Sequence, residues 1–275
     1  MKNLFLLILA FYSTINGYSQ IANEYYNKGL ARSYLKDYQG AIKFYNKTIK
    51  TNPEYAEAYC ARGFAKDKLK DYNAAIKDYS KAIGINPKYT DAYFRRGFVK
   101  LYYQKDYQGA IADYSKLIEL NNSNSTSYNA NLYFNRAFAK DQSQDHQGAI
   151  DDFGKSIEIN PSFPEAYFRR GFVKSYLQDY KGDIEDQNKA LQIDSRYADA
   201  YYARGCAKAS LFDYTGSIAD LDSCIKIDPV YNYAYFERGS VKMKLGQKDN
   251  ACQDFSQALK LGDSRAKEVT KVYCK

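Results

Sequence analysis

Hydrophobic and polar positions alternate along this chain with a helical rhythm that restarts at fixed intervals. Within residues 59–85, Tyr59, Gly63, Ala65 and Leu69 fall on one stripe of a 3.6-residue helix. Asp71 then stands where a helix N-cap belongs, and Ala75, Ile76, Tyr79, Ala82 and Ile83 make a second stripe. Asn86-Pro87 closes that stripe, because the residue before proline is pushed out of helical geometry. The pattern predicts two helices joined by a short turn. Gly63 and Ala75 let the two approach closely, with Tyr59 and Tyr79 filling the space between neighbouring pairs.

The unit repeats. Gly29, Gly63 and Gly97 are 34 residues apart, as are Ala137, Gly171, Gly205 and Gly239, with one longer step of 40 between the two sets. Four residues earlier stand Tyr25, Tyr59, Tyr93, Tyr133, Tyr167, Tyr201 and Tyr235. One residue earlier comes Lys28, Arg62, Arg96, Arg136, Arg170, Arg204 or Arg238, and three residues later Arg32, Lys66, Lys100, Lys140, Lys174, Lys208 or Lys242. Asn52-Pro53, Asn160-Pro161 and Asp228-Pro229 repeat the stop. This register resembles the tetratricopeptide repeat: the Gly, the small Ala (Ala41, Ala75, Ala110, Ala149, Ala251), the second-helix aromatic and the terminal Pro stand where that family has them, with Tyr in place of its frequent Trp. The resemblance implies an all-α fold, a right-handed solenoid of helix-turn-helix repeats over residues 20–275. The repeats are expected at about 22–55, 56–89, 90–124, 130–163, 164–197, 198–231 and 232–265, with a single capping helix over 265–275.

Departures from the pattern carry their own expectations. Asp183 and Ser217 replace the small Ala in units five and six, and Gln187 replaces the aromatic in unit five. Unit five is therefore expected to be the loosest, with Asp183 reaching solvent or a partner to avoid a buried charge. The segment from Tyr93 to Lys100 recurs letter for letter from Tyr167 to Lys174, and Ala65, Ala139 and Ala207 alternate with Val99, Val173 and Val241, so the inner surface is expected to alternate as well. Unit three has one extra residue in its first hairpin. The polar stretch 121–129 reads as a loop splitting the array into three and four units, either a tolerated insertion or a hinge or contact loop.

The first nineteen residues differ from the rest. Lys2 is their only charge, an apolar run covers residues 4–12, and small residues end at Ser19, the pattern of a cleaved secretory signal with Gln20 as the mature start. The run is too short to span a bilayer, so the expectation is a secreted or periplasmic protein. Five cysteines leave at least one unpaired. Cys252, near the start of the last repeat's second helix, and Cys274, near the end of the cap, meet if the two helices pack antiparallel. The Ala-Cys…Leu-Gly-Asp…Tyr-Cys ending also resembles exported repeat proteins of the Bacteroidetes, and a disulfide there would stabilise the end by about 3 kcal/mol. Cys60, Cys206 and Cys224 read as small buried hydrophobes.

In tetratricopeptide arrays the first helices line a concave groove that takes peptides or helices of partner proteins. Carried across, that groove is lined by Tyr26, Cys60, Phe94, Phe134, Phe168, Tyr202 and Phe236, and one turn further by Leu30, Phe64, Phe98, Phe138, Phe172, Cys206 and Ser240; the alternative is that half of these rings pack sideways against the next helix. Arg95 and Arg169 sit beside this row, placed either to hold a partner's carboxylate or to pair locally with Asp91 and Glu165. The lysines with which chaperone-tail adaptors of the family clamp a C-terminal carboxylate are replaced by Tyr26, Phe134, Asp91 and Glu165.

Lys+Arg exceed Asp+Glu for a net +8, but the basic residues are too evenly spread to nominate nucleic acid, and the Arg/Lys ladder reads as structural. His146, the only histidine, stands where other units have Tyr and reads as a packing residue. No phosphate-cradling, zinc-hydrolase or nucleophile-elbow motif is present, and no cofactor is implied. The expected function is a non-catalytic scaffold binding a protein or peptide partner. The alternative is an envelope-associated structural module recognising glycan or lipid through the same aromatics.

Overall fold

A computed structural model of the chain describes residues 19–121 and 127–274, and every regular element among them is helical. The proposed leader falls on residues 1–18, outside the described residues, apart from Ser19, which with Gln20 begins the described part of the first helix. The chain divides into two compact units at residue 123. The first holds three repeats: α1 (19–34) with α2 (Tyr38–Thr51), α3 (Ala56–Lys68) with α4 (Tyr72–Ile85), and α5 (Thr90–Val99) with α6 (Tyr107–Leu120). The second holds four: α7 (Ser127–Gln142) with α8 (His146–Ile159), α9 (Pro164–Tyr176) with α10 (Tyr180–Ile193), α11 (Ala198–Ser210) with α12 (Tyr214–Ile227), and α13 (Asn232–Lys244) with α14 (Lys248–Lys260). It is closed by α15 (Arg265–Tyr273).

Turn chemistry explains the boundaries. Each first helix ends in a left-handed residue: Lys36, Lys70, Lys105, Gln144, Gln178 or Phe212, and in the last repeat Gly246. The next residue caps the second helix. Asp71 accepts from the Ala74 N–H, and Asp37, Asp106, Asp145, Asp179 and Asp213 accept in the same way from a glycine three residues on. At the far end, Asn52, Asn86, Asn160, Asp194 and Asp228 turn the chain by accepting from the N–H two residues later. The extra residue of repeat three is absorbed inside the helix rather than in a loop, as a π-helical turn over Lys100–Gln104. Residues 127–129, expected to be loop, are the first turn of α7, where Asn129 is buried; 122–126 of the same stretch lie outside the described residues.

Within a repeat the two helices meet at the glycine. A Cβ on Gly63 would stand 3.2 Å from the Ala75 carbonyl and 2.8 Å from the Tyr79 ring, so only glycine admits this approach. Tyr45, Tyr79, Tyr114, Phe153 and Phe255 fill the second-helix aromatic position and are almost wholly buried. The Ala/Val alternation (Ala65, Val99, Ala139, Val173, Ala207, Val241) is also buried. It therefore belongs to the core, and the expectation of an alternating inner surface is corrected.

A column of six buried aspartates ties the helices together: Asp78, Asp113, Asp152, Asp186, Asp220 and Asp254. Each accepts two hydrogen bonds of 2.5–3.0 Å from the arginine of the facing first helix, Arg62, Arg96, Arg136, Arg170, Arg204 or Arg238. The lysine one turn on (Lys66, Lys100, Lys140, Lys174, Lys208, Lys242) adds a contact of 2.7–3.1 Å. The third nitrogen of the arginine reaches back to the preceding repeat: Arg62 Nη1 donates to Asn46, Arg96 to Ser80, Arg204 to Asn188 and Arg238 to Asp222. One guanidinium thus joins three helices. The Arg/Lys ladder is structural, and its acidic partners stand sixteen or seventeen residues after each arginine, in the second helix. Repeat one lacks the pair, because Phe44 takes the aspartate's place and Lys28 and Arg32 stay exposed.

Repeat five resolves its buried charge by partnership. Asp183 is 1% exposed, and Gln187 Nε2 donates to it at 2.7 Å while also bonding the Phe168 carbonyl. The two departures from the repeat pattern are one change: a carboxyl and an amide replace an alanine and an aromatic ring.

The closing helix α15 stands in the register of an eighth first helix, with Ala266 buried like Ala22 and Ala56. Arg265 lies over the Phe236 ring at 4.1 Å, the position in which tyrosines close earlier repeats, and bonds Asp263 and Glu237. Cys252 and Cys274 are placed as a bonded pair with Cα atoms 5.5 Å apart, joining α14 to the end of the cap.

Burial raises the Asp183 carboxyl to about 6, from 3.8 in the unfolded chain. The native state therefore holds this proton more tightly. Its stabilisation is complete below pH 3.8 and is lost as pH rises through about 6, a change on the order of 3 kcal/mol. Asp183→Asn is expected to remove this slope and to be the more stable protein at pH 7.5, as read from urea denaturation of both proteins across pH 4–8.

Candidate functional site

The inner faces of the first helices carry two rows of aromatic residues that differ in what covers them. In the first row, rings pack sideways against the residue that precedes the next repeat's first helix. Tyr26 lies 5.1 Å from Tyr55, Phe134 4.9 Å from Phe163, Phe168 5.2 Å from Tyr197 and Tyr202 5.2 Å from Tyr231. Phe94 meets the buried Tyr114 ring edge-on. Phe134, Phe168 and Tyr202 are therefore half-buried joints between repeats, the sideways packing weighed against groove lining, and Phe94 packs within repeat three. Tyr55, Phe163, Tyr197 and Tyr231 were missed, although their recurrence just before each first helix was visible. Two of these tyrosines also anchor to acids of the preceding repeat, Tyr231 donating to Asp199 at 2.7 Å and Tyr197 donating to Glu165.

The second row is more open. Phe172 is 52% exposed and Leu30 42%. Phe98 leans on Tyr102, at 4.6 Å between ring centres. Phe64 and Phe138 are each covered on one side by an arginine of the next repeat, Arg95 at 4.6 Å and Arg169 at 5.3 Å. Each of these arginines is held by an acid one turn earlier, Arg95 Nε donating to Asp91 and Arg169 Nε to Glu165, both at 2.8 Å. The local ion pair weighed from sequence is thus formed. It engages only Nε, and the arrangement of ring, arginine and acid occurs once in each compact unit.

In the first unit these groups surround an open cavity of about 840 Å³. Tyr26, Leu30 and Tyr34 of α1 with Leu35 just beyond it form one wall, Cys60 and Phe64 of α3 the floor, and Tyr89, Asp91 and Arg95 the far wall. Tyr34 and Leu35 are 88% and 71% exposed, an unusual display of apolar area at the end of a helix. Cys60 donates to Asp91 at 3.4 Å, and burial pushes its thiol up to about 12, so it stays protonated and unreactive. Burial likewise pushes the Cys206 and Cys224 thiols up to about 12. His146 pairs with Asp141 at 2.9 Å and lies against Tyr176, a packing role.

The two rows are expected to respond differently to truncation. Phe134→Ala, removing a ring held between Phe153 and Phe163, should destabilise the second unit by about 3 kcal/mol. Phe172→Ala should cost less than about 1 kcal/mol. Urea denaturation followed by circular dichroism measures both.

Family models described as tetratricopeptide repeat match residues 22–55, 56–89, 91–121, 130–163, 198–231 and 233–261. No curated protein sequence matches the chain. Among solved structures, a tetratricopeptide repeat protein from Parabacteroides merdae superposes with a TM-score of 0.65 at 18% identity, over 93% of this chain and 100% of that one. YrrB, described as a tetratricopeptide repeat protein with an unusual peptide-binding site, gives 0.59 at 20% identity, over 69% of this chain and 95% of its own. PilF of Pseudomonas aeruginosa gives 0.58 at 17%, over 78% and 94%. These likenesses show a shared fold. Arrays of this kind are in general non-catalytic scaffolds that bind protein or peptide partners. By the segments that match and the helix pairs they form, the chain belongs to the tetratricopeptide repeat family.

Proposed function

We propose that this protein is a non-catalytic scaffold acting in the periplasm or outside the cell, and that its first three repeats hold a peptide or helix of a partner protein. The open cavity beside Leu30 and Phe64 carries this reading. It offers exposed apolar side chains on one wall and, on the other, an arginine whose terminal nitrogens have no partner among the described residues. An apolar side chain of the ligand would rest on Leu30 and Phe64, while Arg95 takes one of its backbone or carboxylate oxygens. A glycan would need broad ring faces presented side by side, whereas the ring pairs of the inner row are tilted by 34–53°. That YrrB is described as having a peptide-binding site on the same fold is consistent with a peptide.

Export is supported by the composition of residues 1–19 and by the placing of Cys252 against Cys274, a pairing suited to an oxidising compartment. Intact mass of the protein recovered from its native host should give a chain beginning at Gln20. Recovery of a chain that still carries the apolar run would overturn the export reading.

For the binding site, the chain from Gln20 onward should select polypeptides by crosslinking from an envelope extract and from a random peptide library. Leu30→Asp, at a side chain 42% exposed, should lower affinity for a selected peptide more than tenfold while leaving the melting curve unchanged. Equal affinity in the variant would remove the cavity from the site. Enrichment of glycan or lipid without any polypeptide would favour the envelope module instead.

A further inference from the structure

The bridge from each ladder arginine to the preceding repeat fails at one place in the second unit. Arg62, Arg96, Arg204 and Arg238 direct Nη1 to a side-chain oxygen sixteen residues earlier, from Asn46, Ser80, Asn188 and Asp222. The equivalent residue for Arg170 is Gly154, in the middle of α8. Arg170 Nε and Nη2 are bound to Asp186, and Nη1 has no acceptor among the described residues. Glycine is a poor helix-interior residue, and a Cβ here would meet only Arg170 Nη1, at 3.7 Å, so packing does not require it.

The missing side chain leaves a recess of about 640 Å³ lined by Arg136, Lys140, Lys155 and Arg170. Asp152 is already shared by Arg136 and Lys140, so it does not neutralise the other two. Lys155 forms no ion pair among the described residues and lies over the Tyr133 ring at 5.6 Å, and the exposed carboxylates of Asp151 and Glu158 complete the lining. The recess therefore presents two donors without acceptors, a guanidinium nitrogen and an ammonium. We propose that the recess beside Gly154 is a carboxylate-binding site, in which a ligand oxygen takes the place that Asp222 fills for Arg238. Asp222 Oδ1 meets Arg238 Nη1 at 2.5 Å, so the slot is already shown to accept a carboxylate where the chain supplies its own. Arg170 contributes the directed hydrogen bond and Lys155 the second charge. This site lies on the second helix of repeat four and is independent of the cavity in the first unit.

The test titrates acetate into the labelled chain from Gln20 onward at constant ionic strength, following the Arg170 Nε–Hε signal, with chloride as control. A saturable shift with a dissociation constant on the order of tens of millimolar is expected. Gly154→Ala, which adds no acceptor, should keep the shift. Gly154→Asp, which fills the slot from within, should abolish it. A linear response, or the same saturable response in Gly154→Asp, overturns the proposal. Tighter binding of an acetylated, amidated Gly-Asp-Gly tripeptide than of acetate would identify a polypeptide side chain as the source, and equal binding a free carboxylic acid.

Discussion

A buried carboxylate cannot be left alone in a protein interior, and this constraint organises six of the seven repeats. Each aspartate of the column is shielded from water and held by an arginine fork and a lysine from the facing helix. Removing water from three charged groups costs several kcal/mol per ion, offset only when the geometry is bidentate and the remaining donors are satisfied. The contacts therefore act chiefly on register. A helix that slid by one turn would bury the same charges without partners. Where the arginine also reaches the repeat before it, the requirement extends from the helix pair to the stack.

The same arrangement explains the charge of the chain. The ladder brings twelve cations to six carboxylates, an excess of six, which is most of the formal +8. The positive balance is thus largely internal to the repeat architecture rather than displayed as a patch. Repeat one departs from it: Phe44 stands in place of the aspartate, its basic residues are solvated, and its first helix ends in exposed Tyr34 and Leu35. The repeat released from the charge constraint is also the one that opens the apolar cavity.

The helix pairs, the cap at Asp71 and the close approach at Gly63 were legible in the sequence because they follow from local rules that recur along the chain. The role of the basic ladder was legible only in part. Spacing marks Arg62 and Lys66 as structural, but their partner Asp78 lies sixteen residues on, in the other helix, where the periodicity of the first helices does not reach. Spacing alone leaves the inner rings undivided between surface and joint, because an exposed stripe and an inter-repeat joint share the 3.6-residue period; Phe168 and Phe172 differ in whether Tyr197 folds back over them. Asp183 and Gln187 looked like two defects, since their contact depends on side-chain direction rather than on pattern. The extra residue of repeat three was visible as a count, yet its form as a π-turn at Lys100–Gln104 reflects the cost of breaking the ladder contact that Lys100 makes with Asp113.

The back-reaching arginines bear on how such a chain can change length. The acceptors they meet are Asn46, Ser80, Asn188 and Asp222, four positions held by three kinds of side chain with nothing in common but an oxygen at the right distance. A junction with so loose a requirement lets one repeat follow almost any other. Adding or dropping whole repeats then leaves the arginine satisfied wherever the preceding repeat carries such an oxygen, as it does not at Gly154. Interchangeable joints of this kind make the number of repeats an evolvable quantity while the fold of each stays constant.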